Sequence, residues 1–228
     1  MILITRPIDD SVELQQELKK NKIQSLIDPL TSFKFLNRKI KFTEDHIYIC
    51  ASQRCVVSLA RIKNISNISI IVVGKKVARR LKENNFNNIL FIASDTEQLM
   101  KWMRKKENQQ NNYIYLSGSI INETFVVELK KYNISFRRKV IYQTILKKSL
   151  NRNTIKILKQ DKITSVVFYS KTSADVYFKL LKKYKISLNT LSQIYFVLSA
   201  RISKNCRKYK LERGVIKISP KPDQSSMI

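Results

Sequence analysis

Glycine is scarce in this chain, with 3 in 228 residues, and histidine scarcer still, with His46 alone. So few glycines leave no GxGxxG, P-loop GK[ST] or GxSxG signature, which removes the dinucleotide, nucleoside-triphosphate and α/β-hydrolase readings. A single histidine builds no His cluster for a metal, and His46, just before an apolar strand, has no recognisable orienting partner as a base. Cys50, Cys55 and Cys206 lack CxxC spacing, so no metal site is expected, and an odd count predicts reduced, mostly buried thiols. A phosphoacceptor receiver domain would place an aspartate at a central strand end, where Cys50-Ala51-Ser52 stands instead. Apolar runs fall short of the roughly 20 residues that cross a bilayer, and the stretch 1–4 is too short for a signal-peptide core. The expectation is a soluble, cytoplasmic chain with no membrane contact.

Acid is short as well. Asp and Glu total 17 against 44 Lys and Arg, giving a formal net charge of +27. A surplus of that size fits a nucleic-acid surface, an anionic small substrate or a solvated exterior. The cations scatter: Lys19-Lys20, Arg79-Arg80, Arg104-Lys105-Lys106, Lys130-Lys131, Arg137-Arg138-Lys139 and Lys182-Lys183 fall near expected helix ends and turns, not along one stripe. That scatter favours the solvated exterior. The abundance of Lys, Asn and Ile beside so little Gly also fits drift toward AT-rich codons. With 43% hydrophobic residues the chain is too apolar for disorder, and 228 residues can bury a substantial core.

What is present is repetition. Residues 1–30 read as strand (Ile2 to Ile4), short loop, helix through Leu14 and Leu18, and strand; residues 113–146 repeat that order. A longer motif, strand, Ser-containing turn, helix, strand, turn, helix, strand, occupies Ile47 to Leu99 and again Val166 to Met227. The continuous apolar runs Ile70-Ile71-Val72-Val73 and Val166-Val167-Phe168-Tyr169 suit parallel sheets covered on both faces. The fold class that follows is α/β: two similar open parallel-sheet lobes with interleaved chain order, joined by a two-stranded linker. One lobe takes residues 1–32 and 148–228, the other 39–138, and the linker strands are 33–38 and 139–147. Two such lobes on a hinge make a cleft. Asp10 with Glu13 reads as a capping box opening the first helix, and Ser94-Asp95-Thr96-Glu97 opens another. Val176, Tyr177, Leu180 and Leu181 lie at helical spacing, which would serve to line a site but favours packing on the core.

Ligands of open α/β sheets bind at strand carboxyl ends, so the strand-to-helix turns are the places for chemistry. They are Thr5-Arg6-Pro7, Ala51-Ser52-Gln53-Arg54, Gly74-Lys75-Lys76, Ser117-Gly118-Ser119, Ser170-Lys171-Thr172-Ser173 and Ser199-Ala200-Arg201. Backbone N–H groups and helix dipoles at several such ends would together hold a multiply anionic ligand. Taken singly, each turn is equally an ordinary N-cap.

The opening Ile4-Thr5-Arg6-Pro7, the Ser52-Gln53 turn, Val73-Gly74 with Ala78 and Leu81 behind it, Leu116-Ser117-Gly118, Val140-Ile141-Tyr142-Gln143-Thr144 and Phe168-Tyr169-Ser170 together resemble the uroporphyrinogen-III synthase family, across nearly the whole chain. The resemblance implies a cofactor-independent cyclising lyase with its active site between two lobes. It closes the polyanionic small molecule hydroxymethylbilane with inversion of ring D and loss of water, in haem biosynthesis. A substrate prone to cyclise unaided needs chiefly to be folded and oriented. The resemblance further implies Tyr142 as the catalytic proton donor, with linker packing as its alternative role. It implies substrate contacts at Thr5, Arg6, Pro7, Ser52, Gln53, Gly74, Lys75, Ser117, Gly118, Ser170, Lys171, Thr172 and Ser199. No metal and no cofactor are expected. A monomer that receives its substrate by hand-over from the preceding enzyme is expected. The chain departs from the family pattern at Ala51, Val77, Ser117, Ser199 and Ile202, each a lost polar contact or glycine. Two other readings stay open: a basic nucleic-acid-binding protein, and a catalytically weakened two-lobe scaffold.

Overall fold

Strand and helix signals alternate into two sheets in the computed structural model, which describes residues 1–36, 41–62, 65, 67–121, 123–188, 191–221 and 226. The linker residues Asn37 and Arg38 and the repeat end at Met227 lie outside the described residues. In chain order the elements are β1 (Ile2–Ile4), α1 (Ile8–Lys20), β2 (Ser25–Ile27), β3 (Thr31–Phe35), β4 (Ile47–Cys50), α2 (Gln53–Leu59), β5 (Ser69–Val73) and α3 (Lys75–Glu83). They continue as β6 (Ile89–Ala93), α4 (Thr96–Met103), α5 (Lys106–Gln109), β7 (Tyr113–Gly118), α6 (Glu123–Lys131), β8 (Phe136–Leu146) and α7 (Arg152–Lys159). The last are β9 (Ser165–Phe168), α8 (Lys171–Lys183), β10 (Ile194–Val197), α9 (Ala200–Cys206) and β11 (Val215–Ile218).

The chain divides into two compact units, residues 1–32 with 145–228, and residues 33–144. The first holds the sheet β11-β10-β9-β1-β2, parallel throughout. The second holds β3-β8-β7-β4-β5-β6. Drop β3, and the two orders are the same order: β2-β1-β9-β10-β11 maps onto β8-β7-β4-β5-β6. Each sheet thus takes its short repeat from one half of the chain and its long repeat from the other. β3 lies at the edge beside β8, where Leu36 N donates to Ile141 O and Lys147 N to Leu30 O, so this pair runs antiparallel.

Alternation along each strand sorts the core into two layers per sheet. In residues 33–144, Tyr48, Cys50, Ile70, Val72, Ile114 and Leu116 pack under α2 and α3, while Ile49, Ile71, Tyr113 and Tyr115 pack with Leu99, Met103, Phe125 and Leu129. In the other unit Leu3, Val166, Phe168, Tyr195 and Val197 meet α8 and α9, and Ile4 meets Leu14 and Leu18 of α1. Val176, Tyr177, Leu180 and Leu181 are buried in that core. All three cysteines are buried and free.

Scarce glycine leaves a mark on the helix ends. Lys22, Asn85, Asn133, Asp161 and Lys185 all take positive φ between 51° and 64° just after α1, α3, α6, α7 and α8. The residue after each donates back across the turn, as Ile23 N does to Leu18 O and Ile186 N to Leu181 O. This is the left-handed C-terminal motif that glycine usually fills. Lys185 is exposed. Lys185→Gly is therefore expected to stabilise by about 0.5–1 kcal/mol, the left-handed strain of about 1–2 kcal/mol less glycine's added backbone freedom. A urea midpoint that falls instead would refute that reading.

Three local expectations are corrected. Asp10 and Glu13 lie inside α1, which starts after Pro7; Ser11 Oγ bonds Arg6 O at 2.8 Å, and Asp9 and Asp10 face the helix dipole instead of capping. Ser117 and Gly118 are not turn residues but the buried end of β7. His46 does have partners, with Nδ1 2.7 Å from Thr43 Oγ1 and 2.9 Å from Asp45 Oδ1. By contrast, Asp95 caps α4 as expected, accepting from Gln98 N at 2.8 Å.

Candidate functional site

Every singled-out turn lies at the carboxyl end of a parallel strand, because a right-handed crossover must leave the sheet there to enter its helix. In the unit of residues 33–144, β4, β5 and β7 deliver Ser52, Gly74 and Gly118 to the same sheet edge. In the other, β1, β9 and β10 deliver Thr5, Ser170 and Ser199.

The densest constellation surrounds Tyr142. It sits on β8, 9% exposed, with its hydroxyl 3.1 Å from Ser52 Oγ. Ser52 opens α2, and its Oγ also accepts from Cys55 N at 3.2 Å. Phe33 meets the Tyr142 ring edge to face at 5.6 Å and 86°, and the Arg54 guanidinium covers Phe33 at 4.7 Å. Gly118 lies against the Tyr142 ring so closely that an added Cβ would stand 2.4 Å from Cε2. Burial pushes the Tyr142 phenol above its ordinary pKa, with Ser52 and Arg54 pulling the other way. It therefore keeps its proton at neutral pH. Tyr115, on the neighbouring strand, is pushed up to about 12, again chiefly by burial.

Other candidates play different parts. Gly74 holds φ 96°, which a side-chain-bearing residue rarely adopts, and opens α3. Thr5 is fully buried, its hydroxyl donating to Val167 O at 2.7 Å, so it ties β1 to β9. The Arg6 guanidinium lies 3.9 Å above the Tyr169 ring. Ser170 caps α8 by accepting from Ser173 N at 3.0 Å, whereas Ser199 precedes α9 with no side-chain cap bond. Gln53, Lys75 and Lys171 are the first residues of their helices, and Thr172 follows Lys171.

One electrostatic pattern joins four of these ends and leaves out those at Thr5 and Gly118. The helices α1, α4 and α6 have acid in the first turn, as the dipole favours. The helices α2, α3, α8 and α9 have none, and carry Arg54, Lys75 with Lys76, Lys171 and Arg201 there instead; α7, away from these turns, is likewise acid-free and opens on Arg152. A helix start that carries a cation and no acid favours an anion at its exposed N–H groups. By contrast, a cavity of about 370 Å³ between α4 and α6, lined by Thr96, Met100, Arg104, Phe125 and Tyr132, contains none of these turns.

Arg54, in the singled-out turn after β4, reaches the Phe33 ring beside Tyr142, and Arg138 is a neighbour of the site that the sequence does not single out. Arg138 reads there as part of the cationic run Arg137-Arg138-Lys139, yet its side chain turns back onto residues 117–119. Strand pairing of β7 with β8 is the signal that would have found it.

The family described as Uroporphyrinogen-III synthase HemD matches residues 12–228. No curated protein sequence matches the chain. Among solved structures, uroporphyrinogen-III synthetase from Helicobacter pylori is similar with a TM-score of 0.69 at 17% identity, over 99% of this chain and 95% of that one. A triple variant of uroporphyrinogen III synthase from the extremely thermophilic bacterium Thermus thermophilus gives a TM-score of 0.54 at 11% identity, over 95% and 92%. At such identities the likeness is one of fold.

Proposed function

Since the chain belongs to the uroporphyrinogen-III synthase family, we propose which of its residues carry out that family's reaction, the cyclisation of hydroxymethylbilane with inversion of ring D and loss of water. The observation that carries the proposal is the buried Tyr142 phenol held between Ser52 and Gly118. A neutral phenol can give a proton or hydrogen bond to a departing hydroxyl. Ser52, already accepting from Cys55 N, steadies the phenol oxygen as its proton leaves.

The substrate bears an acetate and a propionate on every pyrrole ring. The acid-free, cation-bearing starts of α2, α3, α8 and α9 support carboxylate binding there, through Ser52, Gln53, Gly74, Lys75, Ser170, Lys171, Thr172 and Ser199. Thr5, Arg6 and Pro7, and Ser117 with Gly118, complete the proposed substrate contacts at ends whose helices carry acid in the first turn, so they act there by shape and not by the helix dipole. Thr5 contributes by shaping its strand end, its hydroxyl being engaged with Val167. Binding in this mode folds the linear tetrapyrrole, and orientation supplies most of the catalysis.

We further propose a monomer that works in the cytoplasm and takes its reactive substrate by hand-over from the enzyme that makes it. Self-repulsion at +27 supports the monomer, and three buried free thiols suit a reducing compartment. No helix among the described residues is long and apolar enough to cross a membrane. With freshly generated hydroxymethylbilane, resolving the products is expected to yield uroporphyrinogen III. Isomer I alone, the product of unassisted closure, would overturn the assignment of this site.

A further inference from the structure

β7 and β8 keep a regular parallel register from Tyr113↔Phe136 to Ser117↔Val140, and then it shifts: Gly118 pairs with Tyr142, and Ile141 is passed over. A slip of one residue sends side chains to the opposite face of a sheet, so this bulge decides which face receives the Tyr142 ring. Such a bulge needs something to hold it. Downstream, Ser119 N donates to Tyr142 O at 2.9 Å and Thr144 N to Ser119 Oγ at 3.0 Å. Upstream, Arg138 Nε donates to Ser117 Oγ at 2.8 Å, and Nη2 donates to Gly118 O at 2.6 Å and Ser119 O at 3.0 Å.

We propose that Arg138 is a positioning residue for the ring closure: its guanidinium pins residues 117–119 against β8 and so fixes the bulge that lays Tyr142 over Gly118 with its hydroxyl on Ser52. This rests on the assignment of Tyr142 as the proton donor. The role suits arginine. Its planar fork reaches three acceptors in fixed geometry, whereas lysine offers one compact charge. Arg138 itself is exposed, so its removal loosens the bulge without opening a buried cavity.

The test uses Arg138→Met, with Arg138→Lys as the milder variant should the first fold poorly. The chain is labelled with 3-fluorotyrosine, the Tyr142 signal being assigned by its loss in Tyr142→Phe. The expected results are a shifted Tyr142 fluorine resonance, kcat about 10-fold lower, KM within about twofold, and no more than about a twofold further loss when Arg138→Met is added to Tyr142→Phe. An unmoved resonance overturns the proposal. So does a raised KM at full kcat, which would make Arg138 a substrate contact. If Tyr142→Phe alone keeps full turnover, the donor assignment fails, while the resonance still reports on the clamp.

Discussion

Tyr142→Phe is expected to lower kcat about 100-fold while KM changes less than about twofold, and to move the product from uroporphyrinogen III toward isomer I. The size follows from proton transfer by a positioned side chain, typically about 100- to 10,000-fold. The lower end applies because the leaving hydroxyl of hydroxymethylbilane departs without strong assistance. KM holds because the substitution removes one hydroxyl and leaves the ring, the Phe33 contact and every cationic helix start in place. The outcome that would sink the assignment is an unchanged kcat, which would leave Tyr142 a packing residue against Phe33 and Gly118.

The pH dependence follows from the same burial. The Tyr142 pKa is raised, so its proton is retained throughout the neutral range and is lost only above about pH 10. No alkaline fall in rate below that point can come from Tyr142. A wild-type profile losing activity between about pH 7 and 9 in a way that Tyr142→Phe abolishes would contradict a buried, neutral phenol.

The architecture was legible because it is written in repetition. Two copies of a short motif and two of a longer one predict two sheets of one strand order, and β2-β1-β9-β10-β11 against β8-β7-β4-β5-β6 is that order. Continuous apolar strands predicted burial on both faces, which Tyr48 and Ile49, or Tyr113 and Ile114, display on adjacent positions. The turn set was legible for the same reason: strand carboxyl ends can be counted before they are seen. Ser117-Gly118 reads as a turn in the sequence because two small residues look like one. In the molecule β7 continues through them, since β8 pairs there and Arg138 engages the carbonyl of Gly118. Arg138 itself was hidden by its neighbours, because a run of three cations carries no mark of which one curls back onto a strand. The large positive charge also carried less than it promised. The family match supports an enzyme of a polycarboxylate, and neither the fold nor the family supports nucleic-acid binding.

Gly118→Ala is expected to cost about 1–3 kcal/mol of stability, the usual range for overpacking, and nearly as much turnover as Tyr142→Phe. Backbone strain is not the reason, since Gly118 does not occupy the left-handed region. The reason is space. A Cβ there would lie 2.4 Å from Cε2, 2.8 Å from Cζ and 3.1 Å from Cδ2 of Tyr142, where ordinary contacts stand farther apart. A free tyrosine would swing aside at little cost. This one is held by the Ser52 hydroxyl at its tip, by Phe33 against its ring and by the Ser119 N to Tyr142 O bond through its backbone. To admit the methyl, the ring must leave Ser52, or β8 must give up the bulge. Either change moves the proton donor, so a substitution that adds no charge and removes no polar group is expected to act on chemistry. The cycle with Tyr142→Ala separates the causes: once the ring is gone, Gly118→Ala should cost less than about 0.5 kcal/mol by urea unfolding. A cost that persists in the Tyr142→Ala background would mean that Gly118 is required by β7 itself and not by the tyrosine across from it.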